Sequence, residues 1–247
     1  MTEPILNHIY TGDCLEIMRD WPDKCVDLIV TDPPYGLNFN NGDLAHNREK
    51  VFGGDTSKSV ARPIANDGGE DAMRTFLAFL EQAARILKDG SCCCCCCCGG
   101  GGGPKPLFAE WTLHMDRILK FKQAIVWDKG GLGMGIHYRR NYEFVLIAQK
   151  PGAACTWNGG KITPNVFRIP KIIPSADEHP TAKPVELMGH FIRLHSNEGG
   201  VVLDPFAGHG PTLVAAKQLG RKYIGIEINP DYAKIAEERL RQEELFT

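Results

Sequence analysis

Short apolar runs, several of them β-branched, alternate with stretches of helical periodicity along this chain of 247 residues. The runs at 26–31, 92–98, 124–127, 144–148, 201–203 and 223–227 predict strands. Between them Met73, Phe76, Leu77, Leu80, Ala84 and Leu87 recur at helical spacing, as do Val185, Met188, Phe191, Ile192 and His195. A last helix is predicted to open with Asn229 as N-cap and Pro230 at its first position, and to bury Tyr232, Ile235, Ala236 and Leu240. Strands and helices in alternation predict an α/β architecture, a mostly parallel sheet with helices on both faces. Two stretches, 37–69 and 152–178, carry no periodicity, and long loops of that kind in a compact domain are functional or disordered.

Ten cysteines change this picture less than their number suggests, because seven of them form one run, Cys92 to Cys98. Zinc sites space their thiolates so that they converge, whereas adjacent residues of a strand point to opposite faces. The run therefore reads as a reduced, metal-free strand buried on both sides, followed by a glycine loop at 99–103. A net charge of −2 lends no support to polyanion binding by bulk basicity. Distribution does: from Arg117 to Lys183 eleven basic residues face four acidic ones, an excess of +7 that leaves −9 for the remainder. Such a basic middle suits a polyanion laid across one face. The opening MTEPILNHIY has no basic run followed by an apolar stretch, and no window approaches the roughly 18 apolar residues of a span. A cytoplasmic protein without a membrane partner is expected.

Candidate chemistry sits at two strand ends. The run Val26 to Val30 leads into TDPPYG at 31–36, and in an open parallel sheet ligands bind beyond the carboxyl ends of strands. Asp32 and the carbonyl of Pro33 form a rigid pair of acceptors, since proline fixes its own φ and restricts the residue before it. Two acceptors are what an NH₂ group needs, and Tyr35 adds a ring on which a base can stack. The second signal is VVLDPFAGHGPT at 201–212, followed by YIGIEINPDY at 223–232. Strand, glycine turn, helix and a second strand ending in Glu227 make the general nucleotide-binding plan, in which the acid grips ribose hydroxyls.

Together these segments resemble the β group of DNA amino-methyltransferases, in which DPPY precedes the cofactor segment. The likeness covers YTGDCLEIM and VDLIVTDPPYG at the front, then HPTAKPVELM, VLDPFAG and LGRKYIGIEINPDYAKIAEERL at the back. It implies a Rossmann-like fold dependent on S-adenosylmethionine, and a single methyltransferase domain over 1–247. Within it, 1–150 would be the DPPY catalytic part, 151–178 a short target-recognition loop and 179–247 the cofactor-binding part. The implied activity is site-specific methylation of adenine N6 in DNA, because an acid as first residue of the tetrapeptide goes with adenine. Cytosine N4 methylation, and a non-catalytic DNA-binding protein that retains the fold, are the alternatives.

Carried onto this chain, the resemblance implies that Asp32, Pro33, Pro34 and Tyr35 hold the flipped target base. Cofactor contacts are expected from Asp13, Cys14, Asp32, Thr181, Lys183, Asp204, Phe206, Ala207, Gly208, Gly210, Glu227 and Ile228. Lys183 and Thr181 would meet the methionine carboxylate. Asp13 would lie near the adenine amine or else cap a helix, and a solvated surface lysine is the plain alternative for Lys183. DNA contacts are expected from Arg139, Arg140, Lys161, Arg168 and Lys171. Double-stranded DNA is the expected partner, with a homodimer as an alternative to the monomer and no metal. One departure stands out: where the family's loop reads like FAGSGTT, this chain has His209 and Pro211, which bears on cofactor affinity more than on the fold.

Overall fold

The computed structural model of the protein describes residues 1–35, 69–97, 107–132, 139–170 and 183–244. Most of the expected loop 37–69, the glycine loop 99–103, Cys98, Lys171 and Thr181 lie outside them. In chain order the elements are β1 (His8–Thr11), α1 (Cys14–Arg19), β2 (Val26–Thr31), α2 (Gly69–Ile86), β3 (Leu87–Cys97), α3 (Leu107–Ile118), β4 (Lys120–Asp128) and β5 (Tyr142–Gln149). They continue with β6 (Val166–Arg168), α4 (Val185–His195), β7 (Val201–Asp204), α5 (Pro211–Gln218), β8 (Lys222–Glu227) and α6 (Pro230–Glu244).

The eight strands among the described residues form one sheet in the order β1-β8-β7-β2-β3-β5-β4-β6. Every pairing is parallel except the two made by β5, which runs against both β3 and β4. Alternation across the sheet sorts the apolar residues into two layers. Leu28, Val30, Cys94, Cys96, Val145 and Ile147 pack with α4, α5 and α6 on one face. Ile29, Cys93, Cys95, Leu146, Ile224 and Ile226 pack with α1, α2 and α3 on the other. Among the described residues no helix is long and apolar enough to cross a membrane.

Every predicted strand is present. Leu87, expected on the helix, instead opens β3, and two short edge strands, β1 and β6, were not predicted. The cysteine run behaves as an apolar strand, with Cys92 to Cys97 at most 3% exposed and burial pushing the Cys92 thiol up to about 12. Pro211 occupies the first turn of α5, where its missing N–H has no helical partner to lose, behind Gly210 in the left-handed region at φ 74°. A Cβ on Gly210 would also come within 2.9 Å of the Ala236 Cβ.

This topology defines one ligand edge. From β2 the chain passes through α2 to β3 on one side, and from β7 through α5 to β8 on the other. The strand order therefore reverses between β2 and β7, whose register places Leu28 beside Val202 and Ile29 beside Leu203. Crevices at such reversals, beyond the carboxyl ends, are where open α/β sheets bind ligands.

Candidate active site

Both sequence signals converge on that reversal. The Thr31 hydroxyl donates to Asp204 Oδ1 at 2.6 Å, a buried bond across 173 positions that pins the end of β2 to the end of β7. Asp32 follows immediately, half-buried, with Pro33 buried behind it. Tyr35 donates its hydroxyl to Asp32 Oδ1. The Tyr35 ring leans on Trp111 of α3 at 5.9 Å, Trp111 stacks on Phe76 at 3.9 Å, and Phe79 meets Phe206 edge-on at 5.4 Å. With Phe76 and Phe79 6.2 Å apart, aromatic rings run without a break from the DPPY segment to the glycine loop.

On the β7 side the glycine loop is tied to the end of β8. Gly208 N–H donates to Glu227 Oε2 at 2.7 Å, and Asn229 N–H donates to Oε1 at 2.8 Å. A Cβ built on Gly208, at φ 51°, meets nothing within 4 Å, so the loop borders open space. Gly12 N–H donates to the Glu227 carbonyl at 2.9 Å, which brings Asp13 and Cys14 to the same edge. Ile228 stands 43% exposed beside them, an apolar surface of the kind a planar ring would cover. Acid, open glycine loop and apolar cover in one place fit a nucleoside with free ribose hydroxyls.

Burial sets the carboxylates here. It raises the Asp204 carboxyl to about 6, against the Thr31 hydroxyl and the Phe206 N–H, and raises Glu227 despite its backbone donors. Asp13 caps α1, its carboxylate accepting from Leu15 N–H at 2.7 Å. The His209 ring packs edge-on against Tyr232 of α6 at 4.6 Å, and its carbonyl accepts from Arg239 at 3.0 Å. That departure from the family loop is thus absorbed by packing against α6.

Lys183 is no solvated surface lysine. It is 6% exposed, with Nζ 2.9 Å from Asp32 Oδ2, 3.3 Å from Glu143 Oε2 and 3.3 Å from the Tyr35 hydroxyl. Glu143 also pairs with Lys129 at 3.0 Å. Sequence reasoning missed Glu143 and Lys129, although Glu143 is one of only four acids in the basic stretch. The stretch is also less available to DNA than its count suggests. Lys129, Lys150 and Lys183 are largely buried in ion pairs, and Arg168 is bound to Asp128 at 2.8 Å. Arg139 and Arg140 are exposed just ahead of β5, at the ligand edge, and Lys161 is exposed in the turn before β6. A separate cavity of about 220 Å³ lies between α4 and β4, lined by Gln123, Trp157, His190 and His195, and none of the DPPY or glycine-loop residues reaches it.

Comparison with known proteins agrees with this geometry. A family model described as DNA methylase, for N6 and N4 methyltransferases, matches residues 26–238. The DNA adenine methyltransferase YhdJ of Escherichia coli K12 is 29% identical, over 94% of this chain and 82% of its own length. The type II methyltransferase M2.MboI of Moraxella bovis is 25% identical, over 95% of this chain and 88% of its own. Among solved structures, M1.HpyAVI in complex with SAM superposes with a TM-score of 0.68 at 24% identity, over 94% of this chain and 98% of that one. The cytosine-N4-specific PvuII DNA methyltransferase superposes with a TM-score of 0.70 at 18% identity, over 95% and 86%. With most of its length inside the family model and its two signature segments meeting at one edge, the chain belongs to the N6/N4 DNA methylase family.

Proposed function

We propose that this protein transfers a methyl group from S-adenosylmethionine to N6 of adenine at a specific site in double-stranded DNA. The observation that carries the reading is the Thr31 to Asp204 bond, which sets the acceptors of the DPPY segment beside the glycine loop across the sheet reversal. When bound, the sulfonium supplies an already activated methyl group. The protein's own task is then to position a poor nucleophile. Asp32 and the Pro33 carbonyl accept the two amine protons, which favours a pyramidal nitrogen and frees its lone pair. Tyr35, backed by Trp111, offers a stacking face that partly offsets the few kcal/mol of swinging a base out of the duplex. Glu227 serves the ribose, Ala207, Gly208 and Gly210 allow close approach, and Ile228 and Phe206 enclose the ring.

Adenine is favoured by the acid at Asp32, and a DNA adenine methyltransferase stands among the relatives. Arg139 and Arg140, exposed at the ligand edge, contact phosphates, with Lys161 on the flank. Neutralising both arginines would lower the slope of log affinity against log salt by roughly 1.8, about 0.9 per phosphate contact. An unchanged slope would move the DNA path elsewhere. The test of the function is nucleoside mass spectrometry of unmethylated DNA incubated with protein and cofactor. N6-methyladenine is expected. N4-methylcytosine alone would convert the reading to the cytosine enzyme, and no modified base would reduce the protein to a binder.

A further inference from the structure

Glu143 has no place in either sequence signal, yet its side chain, 14% exposed, is largely withdrawn from solvent at the same edge. The reason is the direction of β5. In a parallel sheet only carboxyl ends reach the ligand edge, but β5 runs the other way and delivers its first residues there. Register puts Glu143 opposite Trp127 and Val145 opposite Cys96, while Thr31 sits opposite Cys95. Asp32 and Glu143 therefore flank β3, one on each neighbouring strand, and their carboxylates reach toward each other over it.

Parity puts them on one face. Val30, Cys96 and Val145 belong to the layer packed against α4, and Asp32 and Glu143 continue the alternation of β2 and β5 onto that side. Lys183, just ahead of α4, spans the gap above the small Cys96 side chain. An ammonium has three donors. That of Lys183 donates to the Tyr35 hydroxyl and forms ion pairs with the carboxylates of Asp32 and Glu143, the Glu143 contact being electrostatic with no hydrogen bond to Oε2 among the described residues. Lys129 completes an alternating row of charges: Lys129, Glu143, Lys183, Asp32. Burial would raise the Glu143 carboxyl, but the ammonium groups of Lys183 and Lys129 overcome it and hold the carboxyl below its ordinary value.

We propose that Glu143 is a positioning residue for methyl transfer: by clamping Lys183 against β5 it fixes the Asp32 carboxylate in the orientation that receives the target amine. This rests on the assignment of Asp32 above. It also predicts that Lys183 acts first on Asp32, since turning to a cofactor carboxylate means giving up one of its present partners.

Single-turnover methylation, DNA binding and cofactor calorimetry on the full chain test the proposal. Glu143→Gln is expected to lower the turnover rate about 10- to 100-fold, the scale of a misplaced catalytic group, while cofactor and DNA affinities stay within about threefold. Lys129→Met/Glu143→Gln removes one charge of each sign, so it regains the thermal stability lost by Glu143→Gln without regaining the rate, and it gives the answer if the single variant fails to fold. Recovery of the rate in the double variant would overturn the proposal, as would a wild-type rate in Glu143→Gln or an effect confined to affinity. Asp32→Asn separates the two claims. Full transfer in Asp32→Asn would remove the site assignment itself, whereas loss there with a normal Glu143→Gln would remove the clamp alone.

Discussion

On the β2 side of the sheet reversal Asp32 and Glu143 share the ammonium of Lys183, whereas on the β7 side the donors to Asp204 and Glu227 among the described residues are hydroxyl and backbone N–H groups. Glu143, Asp204 and Glu227 are all at least half-buried, and the outcomes differ. Glu143 is held below its ordinary value, while Asp204 is raised to about 6 and Glu227 is raised as well. Neutral donors do not offset the desolvation of a carboxylate here, and neighbouring cations do. The arrangement suits the two tasks proposed for these residues. An acceptor that polarises an amine benefits from a fixed orientation. Carboxylates that serve hydroxyls and shape a loop tolerate a weaker hold on their charge.

The largest break in this contrast should come from Asp32→Ala. Methyl transfer is expected to fall by at least about 10²–10³-fold, as when one preorganised group is removed, with cofactor affinity nearly unchanged. Calorimetry showing lost cofactor binding in a folded variant would place Asp32 on the wrong side of the comparison.

Asp204 offers the next test, through pH. Its folded value near 6 lies above the ordinary 3.8, so the stabilisation of its protonated form is fully present below 3.8 and is lost as pH rises through about 6. That displacement corresponds to roughly 3 kcal/mol. Asp204→Asn, which carries no charge, should gain on wild type in urea unfolding as pH goes from 5 to 7.5. Parallel stability curves would show that Asp204 ionises as it does in water.

The smallest effect is expected at Glu227→Gln, which keeps an oxygen for Gly208 N–H but loses the charge. Cofactor affinity should weaken about tenfold, close to the lower end of the usual 1.5–3 kcal/mol for a hydrogen bond to a charged group, with turnover at saturating cofactor preserved. A lowered turnover at saturation would mean that this side also serves the transferring geometry.

Much of this was legible in the chain. Periodicity located α4 because Val185, Met188, Phe191 and Ile192 face one layer and His195 is buried in its last turn. The cysteine strand was readable because a small apolar residue repeated without break suits burial on both faces. What escaped lies where tertiary contacts decide. β1 and β6 are edge strands of four and three residues, too short to carry a pattern of their own. Lys183 could be singled out by resemblance, but its partner Glu143 is 40 positions away in sequence and is brought to it only by the reversed direction of β5. Charge counting overstated the available charge for a related reason: Lys129, Lys150 and Lys183 add to the basic excess of the middle stretch yet spend their charge inside the protein.

The strand Cys92 to Cys97 is chemically silent in the folded protein, its thiols buried between two layers of helices. Unfolding turns the same six positions into neighbouring thiols with ordinary acidity, open to oxidation and to disulfide exchange with one another and with other chains. Each opening of the sheet is thus a chance for a cross-link that blocks its reclosure. In an oxidising medium the lifetime of the protein is then set by how often β3 is uncovered, a rate, and not by how favourable folding is at equilibrium.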